Sequence, residues 1–232
     1  MKILISGHTS GLGHKLLEIS LKNNHVVYGI SRQISKELSS NHQIRADLST
    51  QEGIQIAYEW LENKQIDLFF HCAGSNQIIE LEKASYNDYL SSFILHVLSA
   101  TQIINSIIKK MKGSGGKIFL ISSIWSKIAC HSRGPYSISK SGINALARQI
   151  ATEHGKDDIK ANSIVLGFVQ TPLSAKTEFD PKLNIAKSRL ITKNNETAKA
   201  LEIANTIFQI ALLKTNYLNG SEIILDGGIL SQ

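Results

Sequence analysis

The chain has 232 residues, 42% hydrophobic and 19% charged, close to a globular average. That length suits one α/β domain with a full core, whereas two domains would each be small. The formal charge of +6 is spread over single basic residues and pairs such as Lys109–Lys110; without a basic stripe interleaved with aromatics it gives no support to a nucleic-acid face, and it reads as a basic surface or as attraction for an anionic small molecule.

Apolar runs of strand length alternate with longer runs at helical spacing. Ile3–Ser6 reads as a buried strand, and Gly11–Lys22 as a helix with Leu12, Leu16 and Ile19 on one face. Val26–Ile30 is a second strand and Gln43–Ala46 a weaker third, with Asp47 at its end. Ser49 can cap a helix running to about Asn63. Ile66–Cys72 is a buried strand, and a helical pattern fills Tyr86–Lys112. Gly113-Ser114-Gly115-Gly116 breaks it before the strand Lys117–Ile121. A helix over Pro135–His154 precedes the strand Lys160–Leu166. Leu173–Leu190 is ambiguous, Glu196–Leu213 reads as a helix, and Glu222–Leu225 as a last strand. Such alternation implies parallel strands with right-handed crossovers. The expected architecture is one Rossmann-type doubly wound domain over 1–232, with about seven strands and helices on both faces.

The two cysteines, Cys72 and Cys130, have no metal-ligand spacing and suggest no disulfide scaffold. The apolar start Met1–Ile5 is too short for a signal peptide. No stretch of about 18 apolar residues occurs. A cytoplasmic location without membrane contact is the expectation.

Gly7-His8-Thr9-Ser10-Gly11-Leu12-Gly13 joins the first strand to the first helix. Glycines there allow a tight turn and close backbone approach to a pyrophosphate, and the helix start offers free N–H groups. His8, Thr9 and Ser10 could add donors. The spacing differs from the commoner Gly-x-Gly-x-x-Gly, and an ordinary tight turn is the bland alternative. At the end of the second strand, Ser31-Arg32 stands where a carboxylate would bind the ribose of NAD(H). A guanidinium suits a 2′-phosphate, so NADP(H) is expected over NAD(H), unless Arg32 is only a solvated residue. Asp47 could accept a bond from adenine, or equally serve a turn or helix cap.

Tyr136 and Lys140 are four apart on a helix and share one face. A free phenol titrates near 10 and is a poor acid at neutrality, but a nearby ammonium favours the phenolate. Such a tyrosine can give a proton to a ketone oxygen as hydride arrives, and take it back in reverse. A lone Tyr-x-x-x-Lys is common by chance. Here Ser122-Ser123 ends a strand on the carboxyl edge, where α/β sites lie, and the loop Ile124–Gly134 is long enough to bring Tyr136 back beside Ser123.

With these residues assembled, the sequence resembles the short-chain dehydrogenase/reductase family in its compact form, over nearly the whole chain. Ser6–Gly13 is similar to the family's cofactor loop, Asp47-Leu48 to its adenine-contact pair, and Cys72-Ala73-Gly74 to its Asn-Ala-Gly segment. Ser123, Tyr136 and Lys140 fall at its catalytic serine, tyrosine and lysine. Gly167-Phe168-Val169-Gln170-Thr171-Pro172 resembles its nicotinamide loop, where the Val169 backbone and Thr171 hydroxyl would hold the carboxamide. Asn219-Gly220 and Asp226-Gly227-Gly228 resemble its tail. The resemblance implies hydride transfer between nicotinamide and a carbonyl or alcohol carbon, with Lys140 on the ribose and Ser123 on the carbonyl. It implies a homodimer or homotetramer through helices including Tyr86–Lys112 and Pro135–His154. Three departures stand out: His96 where the family often has asparagine in a proton relay, Cys72 for asparagine, and Leu166-Gly167 for Pro-Gly. His96 is readable as a relay group or as a satisfied buried histidine.

By length and tail the chain resembles the family's 3-oxoacyl-[acyl-carrier-protein] reductases, so a carrier-linked ketone is one expected substrate, and a sugar or polyol its rival. A substrate lid is expected around 173–195. A weakly catalytic nucleotide-binding module for sensing or assembly is the alternative of another class. The intact Ser123–Tyr136–Lys140 set speaks against it, because a pure binder has no use for an acidified phenol.

Overall fold

The computed structural model describes residues 1–175, 187–188, 191–192 and 196–231. Seven parallel strands form the main sheet: β1 (Lys2–Ser6), β2 (Val26–Ser31), β3 (Gln43–Arg45), β4 (Leu68–His71), β5 (Gly116–Ser123), β6 (Ile159–Leu166) and, last in the chain, β9 (Glu222–Leu225). Their order across the sheet is β3-β2-β1-β4-β5-β6-β9. Chain order reverses between β1 and β4, where Ser6 pairs with His71. In an open parallel sheet the crevice at the carboxyl ends opens at that reversal.

Alternation within the strands sends side chains to two cores. Ile3 and Ile5 of β1, Phe70 of β4 and Phe119 and Ile121 of β5 face α1 (Gly11–Lys22) and the late helix Ala200–Leu212. Leu4, Phe69, Ile118 and Leu120 face the opposite way, against α2 (Gln51–Leu61), α4 (Ser99–Met111) and α5 (Gly134–His154). Both faces of a parallel sheet are thus dry, as crossover helices require.

Several boundaries differ from the sequence expectation, each for a local reason. Thr50, not Ser49, caps α2 by accepting from Gly53 N–H at 3.0 Å, because Ser49 is bound to the Asp47 carboxylate. Tyr86–Lys112 is not one α-helix. α3 (Tyr86–Phe93) passes through a π-helical turn at Ile94–Leu98 before α4 begins. A π turn widens the helix by one residue and is common at functional sites. Glu196–Leu213 begins with strand β8 (Ala198–Lys199), which pairs with β7 (Val169–Gln170), so the helix starts only at Ala200. After β7, Pro172–Ala175 forms a single helical turn, α6, and Ala200–Leu212 is α7. Most of the expected lid, 173–195, lies outside the described residues, including Lys176, Lys182 and Arg189.

Tyr86–Met111 is 26 residues long and apolar enough to cross a membrane by length. Its residues Ile103, Ile104, Ile107, Ile108 and Met111 are instead buried against the sheet. Ile107 is fully buried, while Ile138 on α5 is 57% exposed. Ile107→Ala is expected to cost about 2–5 kcal/mol in urea unfolding, and Ile138→Ala to stay within about 0.5 kcal/mol. Equal losses would contradict the assigned packing.

Candidate active site

The crevice between β1 and β4 is built by close backbone packing. Gly7 has φ +75°, and a Cβ there would lie 2.9 Å from Ala73 N. A Cβ at Gly13 would lie 2.3 Å from the Gly7 carbonyl oxygen. Any side chain at either place would push α1 or the loop away from the strand ends. Ser10 is extended (φ −153°) and its side chain makes no cap bond to α1, leaving its hydroxyl and the first-turn N–H groups to an outside acceptor. Gly11, Leu12 and Gly13 form that first turn. Thr9 and Ser31 hydroxyls lie 3.1 Å apart. Arg32 is exposed just beyond them, within electrostatic reach of Asp47. His8 departs from expectation. It is fully buried, 3.3 Å from Gln43 Oε1 through Nε2, with its ring over Gly29, and so cannot donate to a phosphate.

Asp47 also serves the fold. Its Oδ1 accepts from Ser49 N–H at 3.0 Å and from the Ser49 hydroxyl at 2.7 Å, the turn role of the two that the sequence left open. Burial pushes its pKa up, and the Ser49 bonds and the Arg32 charge outweigh that, holding it below the usual range. Leu48 is buried in the core beside it. Cys72 N–H donates to the Ser6 carbonyl at 3.1 Å, and Ala73 N–H to the Ser6 hydroxyl at 3.3 Å. Burial pushes the Cys72 thiol up to about 12, so it is an inert packing group here.

Ser123 ends β5, and Tyr136 and Lys140 stand one turn apart on α5. The Ser123 hydroxyl accepts from Trp125 N–H at 3.3 Å and acts on the Tyr136 phenol in favour of its ionised form. The Lys140 ammonium lies 5.7 Å from the Tyr136 ring centroid and donates to the Ile121 carbonyl at 2.8 Å. It is buried, and a Cβ on Gly74 would come within 3.7 Å of it. Burial lowers its pKa to about 8. The phenol differs from the sequence expectation. Burial raises its pKa, against smaller opposing effects of the Ser123 bond and the Arg133 charge.

His96 is fully buried in the π turn, and both ring nitrogens are engaged. Nε2 accepts from Ser75 N–H at 3.0 Å, which leaves the proton on Nδ1, 2.8 Å from the Ser139 hydroxyl. Ser139 in turn donates to the Tyr136 carbonyl at 2.8 Å. The ring is therefore a brace between the loop after β4 and the helix that carries Tyr136. A second imidazole, His71, sits behind it. Its Nδ1 is 2.9 Å from the Ser6 hydroxyl, and its Nε2 faces the Leu95 and His96 carbonyls without reaching good hydrogen-bond geometry.

On the far side of the crevice, Gly167 N–H donates to the Leu225 carbonyl at 3.0 Å. Val169 starts β7, and Thr171 lies across from α1, its Cβ 3.4 Å from where a Gly11 Cβ would be. Asp226 accepts from the N–H groups of Gly228 and Leu230, both at 2.8 Å, fixing the tail against β6. Close approaches run from Gly7 to Ala73, from Gly74 to Lys140 and from Gly11 to Thr171, so the first loop, the end of β4, α5 and the segment after β6 meet at the carboxyl edge of the sheet.

A family model described as enoyl-(acyl carrier protein) reductase matches residues 17–230. The chain belongs to the short-chain dehydrogenase/reductase family. Among curated relatives, the mouse 3-oxoacyl-[acyl-carrier-protein] reductase is 23% identical over 235 residues, covering 97% of this chain and 96% of that protein. Two solved structures share the fold. A 4-hydroxyisoleucine dehydrogenase complexed with NADH has a TM-score of 0.90 at 23% identity, covering 100% of this chain and 99% of the other. The L-sorbose reductase of Gluconobacter frateurii, complexed with NADPH and L-sorbose, has a TM-score of 0.87 at 22% identity, covering 100% and 97%.

This short-chain dehydrogenase/reductase carries two buried groups beside the crevice that sequence reasoning passed over. His71 reads only as a residue inside an apolar strand. Arg133 reads only as part of a long loop, since nothing in the order of residues says that a loop arginine will be buried.

Burial lowers the pKa of His8 and His96 and brings that of His71 to about 3. Unfolded, each imidazole binds a proton near pH 6.5; folded, each binds it less readily, and His71 and His96 stay neutral well below that pH. The unfolded state therefore gains protons as pH falls through 6.5, and stability is lost at up to about 1.4 kcal/mol per pH unit per imidazole. His71→Asn is expected to flatten the fall in unfolding free energy between pH 6 and 4 by roughly that slope. An unchanged slope would mean His71 is protonated in the folded chain.

Proposed function

We propose that this enzyme is an NADP(H)-dependent carbonyl reductase, also able to run as an alcohol dehydrogenase on the same substrate, with Tyr136 as acid and base. The observation that carries the reading is the Lys140 ammonium, 5.7 Å from the Tyr136 ring centroid and bonded to the Ile121 carbonyl two residues before Ser123 at the carboxyl edge of β5. The residues present fit a dinucleotide. Close approach at Gly7 and Gly13 leaves room for backbone contact with a pyrophosphate, and the uncapped start of α1 offers N–H groups to it. Gly74 brings backbone, without a side chain, close to Lys140. Thr9, Ser31 and Arg32 cluster where a 2′-phosphate would need donors, with no carboxylate at the end of β2. The two solved relatives, one with NADH and one with NADPH, mean that the fold alone selects neither cofactor.

When bound, the nicotinamide supplies or accepts the hydride. The chain's part is positional and protonic. Ser123 holds the substrate oxygen. Tyr136 donates its proton to that oxygen in reduction and recovers it in oxidation. Lys140 binds the ribose and, with the positive charge of oxidised cofactor beside it, favours the phenolate. The Val169 backbone and the Thr171 hydroxyl would hold the carboxamide. His96 supports the site by fixing Ser75 and the Tyr136 backbone, not by relaying protons. A β-ketoacyl thioester is the first substrate to try, on the strength of the family-model description and the mouse relative. The exposed Tyr86, Leu90 and Phe93 on α3 suit burial between subunits of a homodimer or homotetramer.

Tyr136→Phe is expected to bind NADPH normally and lose roughly 10²–10⁴ in kcat on a panel of β-ketoacyl thioesters, diketones and keto-sugars. Near-native turnover would exclude Tyr136 as the proton donor, and tight NADPH binding by the native chain without turnover on any ketone would favour a binding module. NADPH is expected to bind more tightly than NADH in a fluorescence titration. Arg32→Asp should weaken NADPH by roughly 10- to 100-fold, the worth of a charge-assisted bond. Tighter NADH binding in the native chain, with no response to the substitution, would reverse the cofactor assignment.

A further inference from the structure

The segment 32–38, which follows β2, has no helix or strand of its own, yet one side chain holds its backbone from beneath. Gln43 opens β3 and is only 5% exposed. Its Oε1 accepts from Ser35 N–H at 2.7 Å. Its Nε2 donates to the Ser35 carbonyl at 2.8 Å and to the Leu38 carbonyl at 2.6 Å. These three backbone groups fix which way the amide points. Its Oε1 therefore faces His8 Nε2, at 3.3 Å, and that nitrogen carries the ring proton and donates it. Gly29 of β2 is the register partner of Gln43, and a Cβ there would lie 2.6 Å from the His8 ring. The missing side chain at position 29 is what lets His8 reach Gln43. A glycine inside a strand weakens it, and a buried amide is tolerated only with its bonds made. The two together admit one buried contact between the glycine-rich loop and the 32–38 segment.

The segment has other anchors at its ends. The Ser31 and Thr9 hydroxyls meet at 3.1 Å before it, and Leu38 lies in the core that also holds Leu12 and Leu16 of α1. The Glu37–His14 pair at 2.9 Å is open to water and adds little. In the middle, the backbone of Ser35 is held by Gln43. Arg32 and Lys36 stand exposed on this frame. A cation on a fixed backbone has less freedom to lose on meeting an anion than one on a loose loop. We propose that Gln43, with His8 against its Oε1, is a positioning residue for cofactor choice, holding 32–38 in the shape that presents Arg32 to a 2′-phosphate. This rests on the NADP(H) reading given above. Gln43 is itself too deeply buried to touch a dinucleotide, so its influence passes through the loop.

The test is a pair of fluorescence titrations of the full chain, with NADPH and with NADH, which need no substrate. Gln43→Met keeps the length of the side chain and removes its amide bonds. It is expected to weaken NADPH by about 3- to 10-fold, what it takes to order one long side chain, and to leave NADH within about twofold. Amide hydrogen exchange of the cofactor-free chain gives a second readout. Ser35 N–H should be protected in the native chain and exchange at least about 10-fold faster in Gln43→Met. A folded variant that keeps its NADPH affinity, or weakens both cofactors alike, overturns the proposal, as does a native Ser35 amide that exchanges without protection. Arg32→Asp separates this from the cofactor reading. If it weakens NADPH and Gln43→Met does not, the positioning role falls and the NADP(H) reading stands. If the native chain prefers NADH and Arg32→Asp changes nothing, the NADP(H) reading falls and takes the proposal with it. Should Gln43→Met fail to fold by circular dichroism, His8→Leu decides. It leaves Gln43 in place and removes the donor facing Oε1, so the preference for NADPH over NADH should drop by at least about twofold, the low end of one hydrogen bond. An unchanged preference overturns the proposal.

Discussion

Lys140 donates to the Ile121 carbonyl at 2.8 Å, and that bond fastens α5 to β5 from inside the protein. Ser123 is two residues beyond Ile121 and Tyr136 one helical turn before Lys140, so one buried ammonium sets the phenol against the serine. The same burial that makes the bond strong lowers the ammonium's hold on its proton to a pKa of about 8.

The wall behind Lys140 is made of imidazoles. His96 bridges Ser75 and Ser139 through its two nitrogens, and His71 ties Ser6 toward the carbonyls of the π turn. Both stay neutral because burial penalises an imidazolium and Lys140 stands close by. The π turn is where the helical ladder yields, and it places His96 at the level of Gly74, whose Cβ would lie 3.1 Å from His96 Nε2. The price of this polar wall is sensitivity to acid, since every one of these rings would take a proton if released to water.

The cofactor side depends on steric absence instead. Gly7 and Gly13 let the loop, α1 and the end of β4 meet without side chains between them. Ser10 leaves the start of α1 uncapped. A helix start buried without a partner would be costly, but one left open to a cleft is ready for an anion.

The strand and helix order, the glycine loop and the Ser123, Tyr136 and Lys140 set were legible in the residues alone, because period and spacing encode local structure and the carboxyl edge of a parallel sheet is where chemistry collects. Glu222–Leu225 and Gly11–Lys22 have the bounds that their patterns suggested. Contacts between distant segments were not legible. Nothing local says that His8 turns inward to Gln43, that Ser49 is taken by Asp47, or that the long apolar helix opens into a π turn at His96. Nor could the spacing of Tyr136 and Lys140 tell that the packing around them would raise one pKa and lower the other. Sequence determined which groups share a face; only the folded chain decided how much water each would keep, and desolvation depends on everything packed around a group, not on its neighbours in the chain.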